Sequence, residues 1–176
     1  MKKLILYFLT LTVLACNSKT NNTDVNTKVE QKSTDLAEIY QYYHANASNQ
    51  IEIDENLLID YIADKNIDAV RTNKGVFVQT LKKGSGEQIK TGDEVSVDYK
   101  GYFLNDKEFD SSYKRGKPIT FRVGSMVPAW NEVLPLLTKG SKATLFVPSS
   151  MGYGNRGFPG YIEPNTCLIF DIEIKK

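Results

Sequence analysis

The sequence predicts an α+β fold, and two observations carry that prediction. After residue 75 the apolar residues recur at every second position in five separated segments, the period of strands that turn one face inward. Among them stands one stretch of another period: Trp130, Val133, Leu134 and Leu137 lie at i, i+3, i+4 and i+7, one face of a helix. Strands that follow one another with a single helix between them, rather than alternating with helices, predict an antiparallel sheet of about five strands wrapped on that helix.

The N-terminus predicts a leader. Lys2 and Lys3 precede an apolar run over 4–14, shorter than the roughly 20 residues a spanning helix needs. It ends in Val13-Leu14-Ala15-Cys16, which resembles a bacterial lipobox. Residues 1–15 are therefore expected to be a signal peptide and Cys16 the lipid acceptor, with more than one acyl chain giving stable anchoring. That places the protein in the cell envelope, facing the periplasm from the inner or the outer membrane. Residues 16–34 are rich in Asn, Thr, Ser and Lys with almost no apolar side chains, which predicts a disordered tether. A flexible chain of about 18 residues spans roughly 25 Å. With Cys16 lipidated, Cys167 lacks a partner and reads as a small core residue.

Residues 35–70 predict two short helices. Asp35 with Glu38 forms a capping-box-like pair, and Leu36, Ile39, Tyr40 and Tyr43 share a face. After a polar break over 46–50, a second helix is expected from Asp54 or Glu55 to Lys65, with Leu57, Leu58, Tyr61 and Ile62 on one side. Helices this short need a surface to pack on: the following domain, a second copy, or a partner reached through Tyr40, Tyr42 and Tyr43. Residues 71–176 carry the strands. Val95, Val97 and Tyr99 alternate with polar residues, as do Ile119, Phe121 and Val123, then Ala143, Leu145 and Val147, then Leu168, Phe170, Ile172 and Ile174, with 76–81 as the fifth strand. Pro128 suits a first helical turn, and Pro135 predicts a kink or an early end.

Several chemistries are excluded. A net charge of +1, from 22 Lys+Arg against 21 Asp+Glu, leaves no footprint for nucleic acid. Two Cys and one His are too few for the usual zinc site, and no cofactor is implied. His44 lies in a polar helix end and reads as a surface residue. Ser149 and Ser150 have no base, and the glycine-rich loop over 152–160 has no Gly-Lys-Ser/Thr for a phosphate.

Six runs together resemble the FKBP family of peptidyl-prolyl cis/trans isomerases. They are Val97-Asp98-Tyr99-Lys100-Gly101-Tyr102, Phe109-Asp110-Ser111-Ser112, Lys117-Pro118-Ile119-Thr120-Phe121, Met126-Val127-Pro128-Ala129-Trp130, Gly152-Tyr153-Gly154, and Pro164-Asn165-Thr166-Cys167-Leu168-Ile169-Phe170-Asp171. The helical extension and leader further resemble the gliding-motility isomerase lipoproteins of Bacteroidetes.

The resemblance implies an FKBP-like fold, proline-containing polypeptide clients, and a pocket lined by Tyr99, Phe109, Trp130 and Phe170. Trp130 would be its floor, Val127 would offer a backbone N–H, and Tyr153 its hydroxyl. Asp110 would form the wall near the rotating bond, Arg115 would pair with it and orient Tyr99, and Ile162 would close one side. The sequence departs from the family pattern at Ile119, where an aromatic is common, at Ala129, where Gly is usual, and at Phe158, which makes the rim more apolar. A non-catalytic proline-peptide scaffold and a chaperone that clamps proline-free chains are the alternatives.

Overall fold

The computed structural model describes residues 37–176. The leader, Cys16, the tether and the Asp35 cap lie outside the described residues. A helical turn over 37–40 leads into α1 (Gln50–Asp64), β1 (Val70–Arg71), β2 (Phe77–Lys82), β3 (Glu94–Phe103), β4 (Glu108–Ser111), β5 (Ile119–Arg122), α2 (Pro128–Val133), β6 (Lys142–Val147) and β7 (Leu168–Ile174). The strands form one sheet in the order β1-β2-β6-β7-β3-β4, with β5 also pairing β3. All pairings are antiparallel.

The five expected strands are present, and two short ones join them. β1 pairs only Val70 with Val78 and Arg71 with Phe77, too short to show a period. β4 carries Glu-Phe-Asp-Ser, whose charged and polar side chains break the alternation. The ten-residue β3 is long enough to serve two partners along one edge. Its first half pairs β5 and its second half pairs β4.

One face of the sheet closes over α2, as expected. Val97, Tyr99, Leu145, Phe170 and Ile172 meet Trp130, Val133 and Leu134 in one buried cluster. Pro135 ends α2 at Val133, and the chain continues as a 3-10 turn, Leu134–Leu136. The break falls after Trp130, so the proline shortens the helix and leaves the indole in place.

The other face is covered too. Phe77, Phe146, Ile169 and Tyr102 align across β2, β6, β7 and β3, and α1 lays Leu58, Ile59 and Ile62 against that row. Full burial of a Leu or Ile side chain contributes about 1.5–3 kcal/mol, which is what holds a helix of this length to the sheet. Cys167 is buried in the same cluster and makes no disulfide among the described residues.

Three expectations for the extension need correction. α1 starts at Gln50, not near Asp54, because Asn49 caps it: its side chain accepts the Glu52 N–H at 3.2 Å, while Glu52 accepts the Ser48 N–H at 2.7 Å. The buried stripe is Asp54, Glu55, Leu58, Ile59 and Ile62, so Leu57 faces solvent. Two acids inside the stripe hid it from a hydrophobicity pattern. His44 is a bridging residue rather than a free surface one: its Nε2 lies 2.8 Å from Glu55 Oε2, and Glu55 also pairs with Arg71.

Candidate active site

Five separate elements bring the site together. β3 contributes Tyr99, β4 contributes Phe109 and Asp110, the loop after β4 contributes Arg115, α2 contributes Trp130, and β7 contributes Phe170. Trp130 is 1% exposed. Tyr99 meets it edge-on at 5.3 Å between centroids, and Phe170 does so at 5.6 Å. Phe109 stands perpendicular to Phe170 at 5.8 Å. These edge-to-face contacts fix ring planes as well as positions. The indole N–H of Trp130 has no acceptor among the described residues, so packing alone orients the ring. Phe121 adds an aromatic neighbour at 5.6 Å, on the strand where Ile119 supplies none.

A polar triad edges this apolar cluster. The Tyr99 hydroxyl donates to Asp110, Arg115 donates to Asp110 through Nη1, and Arg115 Nη2 donates to the Tyr99 oxygen at 2.8 Å. The Ser111 N–H reaches Asp110 at 2.8 Å. Burial pushes the Asp110 carboxyl up, but the bonds from Tyr99, Arg115 and the Ser111 N–H outweigh it and hold the group below its ordinary value. Burial, with the bond to Asp110, pushes Tyr99 up to about 12. Asp110 is thus an anion and Tyr99 a neutral donor near neutral pH.

The opposite rim is a loop. The 3-10 turns Ser149–Met151 and Gly154–Arg156 flank Tyr153. Partial burial and the Asp110 charge raise the Tyr153 hydroxyl, keeping its proton available for donation. Phe158 is exposed and stacks on Tyr153 at 5.8 Å. Ile162 is buried in the Trp130 cluster, and Phe158 and Ile162 bridge each other. Gly157 permits that closure: its φ is +61°, and a Cβ there would lie 2.2 Å from the Ile162 carbonyl oxygen. Val127 precedes α2 and accepts the Trp130 N–H at 3.0 Å, and its own N–H has no acceptor among the described residues.

All of these sequence-predicted residues except Cys16 fall within the described region, and Tyr99, Phe109, Val127, Trp130, Ile162 and Phe170 share one packed cluster. The sequence profile described as FKBP-type peptidyl-prolyl cis-trans isomerase matches residues 85–175. The chain belongs to this family. Over 103 residues it is 43% identical to the FKBP-type peptidyl-prolyl cis-trans isomerase FkpA of Escherichia coli strain K12, covering 58% of this chain and 38% of that one. It is also 43% identical over 103 residues to a peptidyl-prolyl cis-trans isomerase of Schizosaccharomyces pombe, covering 57% of this chain and 92% of the relative. The crystal structure of FkpA from Escherichia coli superimposes with a TM-score of 0.63 at 32% identity, covering 90% of this chain and 74% of that one. The sequence alignment spans well under half the length of FkpA, and the structural match spans more of it.

Three residues that shape this FKBP-type site were not singled out from the sequence. Gly101 faces the rings: a Cβ there would lie 2.6 Å from Phe109 Cζ and 3.1 Å from Phe170 Cε1. Asn131 braces the loop before Val127, accepting from the N–H groups of Gly124 and Met126 and donating to the Met126 carbonyl at 2.6 Å. Ser112 accepts the Tyr99 N–H at 2.9 Å and donates to Asp98 at 2.8 Å, which locks the strand beneath Tyr99. A glycine inside a strand pattern was the one available signal. The other two depend on contacts that only the folded chain makes.

Proposed function

We propose that this chain is a peptidyl-prolyl cis/trans isomerase that assists the folding of envelope or secreted proteins. Rotation about an X-Pro bond meets a barrier of about 18–20 kcal/mol because amide resonance is lost. A catalyst needs only to bind the twisted amide better than either planar isomer. The twisted amide has less charge separation than the planar one, so an apolar site favours it. The Trp130, Phe170, Tyr99 and Phe109 rings supply that surface, with Trp130 under the proline ring. The Val127 N–H and Tyr153 hydroxyl hold substrate carbonyls, and the Asp110 anion, fixed by Arg115, lies beside the rotating carbonyl.

The single observation that carries this reading is the Tyr99–Asp110–Arg115 triad set against the aromatic cluster. The measurement is the cis-to-trans rate of a Leu-Pro peptide with the wild-type protein and with Trp130→Ala. A rate increase that the variant loses supports the isomerase. No increase from the folded protein leaves a proline-peptide scaffold in its place. The clamp reading has less support, because the apolar stripe of α1 is spent against the sheet.

The lipid anchor belongs to the same proposal. Val13-Leu14-Ala15-Cys16 supports lipidation at Cys16 and an envelope location, and the layout shared with gliding-motility isomerase lipoproteins points to envelope clients. Tyr42 packs against the α1 cluster and under Arg71 rather than standing free, but exposed Tyr40 and Tyr43 leave a surface for dimerisation. Cys16→Ser should release the protein from the membrane fraction, and membrane retention of that variant would remove the anchor.

A further inference from the structure

A groove of about 690 Å³ adjoins the aromatic site without being part of it. Its walls come from three regions distant in sequence: Leu57 on α1, Phe103 and Lys107 at the β3–β4 hairpin, and Tyr161, Glu163 and Thr166 before β7. Two lines of aromatic contact join it to the site. On one side Phe103, in the groove wall, packs on Phe109 at 5.0 Å. On the other, Tyr153 stacks on Phe158 at 5.8 Å and Phe158 on Tyr161 at 5.3 Å. Those two steps match the reach of about three residues of extended chain.

Apolar side chains along this path and in the groove wall are open to water. Tyr161 is 69% exposed, Phe158 49% and Leu57 47%. Scattered exposed apolar residues need no explanation, but a continuous run leading away from a binding site does. The groove also offers one cation, Lys107, one anion, Glu163, and the polar ends of Asn105, Asn165 and Thr166. Such a lining matches an uncharged extended backbone with apolar side chains.

We propose that this groove is a second client subsite, which binds the extended, apolar segment flanking the proline while the proline occupies the aromatic site. The inference rests on the isomerase reading for the position of the proline. What it adds is that α1, through Leu57, takes part in client selection. The protein should then prefer unfolded chains with apolar residues a few positions from proline over isolated short prolyl peptides.

The test compares a tetrapeptide, Ala-Leu-Pro-Phe, with peptides that extend the same core on one side or the other by about six residues containing Leu and Phe. Wild-type kcat/KM should rise about tenfold for the peptide extended on the side that enters the groove, mainly through KM. Leu57→Lys should erase that gain while leaving tetrapeptide turnover unchanged, and Tyr161→Ser should also reduce the gain. Equal kcat/KM on short and extended peptides, or a gain that survives both substitutions, would overturn the subsite. If no peptide is turned over, the isomerase reading fails, and fluorescence anisotropy of the labelled peptides still reads the groove. Tighter binding of the extended peptide, lost in Leu57→Lys, upholds it, and equal binding overturns it. A dimer that Leu57→Lys converts to monomer, with peptide preference unchanged, would assign the groove to a second copy and overturn it as well.

Discussion

Asp54 on α1 accepts two hydrogen bonds from Ser149, from its backbone N–H at 2.8 Å and its hydroxyl at 2.5 Å. Gln50 donates to the other Asp54 oxygen at 2.7 Å. Asp54 has no exposed surface. Ser149 opens the turn that leads to Tyr153, so the extension and the rim of the site share a buried carboxylate. Asp54→Ala strands the Ser149 donors and should cost about 1–3 kcal/mol, the usual penalty for a buried unpaired group. Asp54→Asn keeps an acceptor oxygen and should cost less. Thermal unfolding of the two variants measures the difference, and an unchanged Tm in Asp54→Ala would show that water replaces the carboxylate.

Asp110 is held by its neighbours and buried in no core cluster. Asp110→Ala should therefore leave the fold intact and lower kcat/KM about tenfold, equivalent to roughly 1.4 kcal/mol of transition-state stabilisation. Arg115→Ala should produce a smaller loss in the same direction, since the carboxylate keeps its bonds from Tyr99 and the Ser111 N–H. Wild-type turnover in Asp110→Ala with native circular dichroism would remove Asp110 from the mechanism.

Gly101→Ala tests the space between Phe109 and Phe170. The added methyl would force the Phe109 ring away, and overpacking of this kind costs about 1–3 kcal/mol. Prolyl turnover should fall more than thermal stability does, because the displaced ring lines the site. Equal activity at wild-type stability would mean that Phe109 moves without consequence.

The pH dependence has a definite sign. The bond to Lys175 holds the Asp98 carboxyl below its ordinary value against the opposing effect of burial, with Ser112 adding to it, and Asp110 is also lowered. Groups lowered on folding stabilise the native state fully above their unfolded pKa, about 3.9 for Asp, and lose that contribution as pH falls through the lower folded value. Stability should be level through neutral pH and decline below about pH 4. Asp98→Asn should flatten the decline. A wild-type profile that starts falling above pH 6 would point to a different titrating group.

The inward face of the sheet was legible because alternation is a local property. Val97, Tyr99, Leu145, Phe170 and Ile172 each stand two residues from an apolar neighbour, and all lie in the cluster with Trp130. The outer face carried a fainter signal. Phe146 and Ile169 occupy positions where a one-sided sheet would carry polar residues. They are apolar because α1 covers them. β1 is too short to show a period, and in β4 charged and polar residues interrupt the apolar pattern.

By itself, the sequence determined the α+β class, the single helix under the sheet, an interruption of that helix at Pro135, and the family that the chain resembles. These follow from periodicity and backbone chemistry within a few residues, and from six runs that match one family. Only the tertiary structure decided that Asp54 meets Ser149 across 95 residues of chain, that Gly101 leaves room for Phe109, and that Leu57 and Tyr161 border one groove. Such contacts form when strands far apart in sequence settle into register. No local pattern encodes a distance that exists only after the chain has closed on itself.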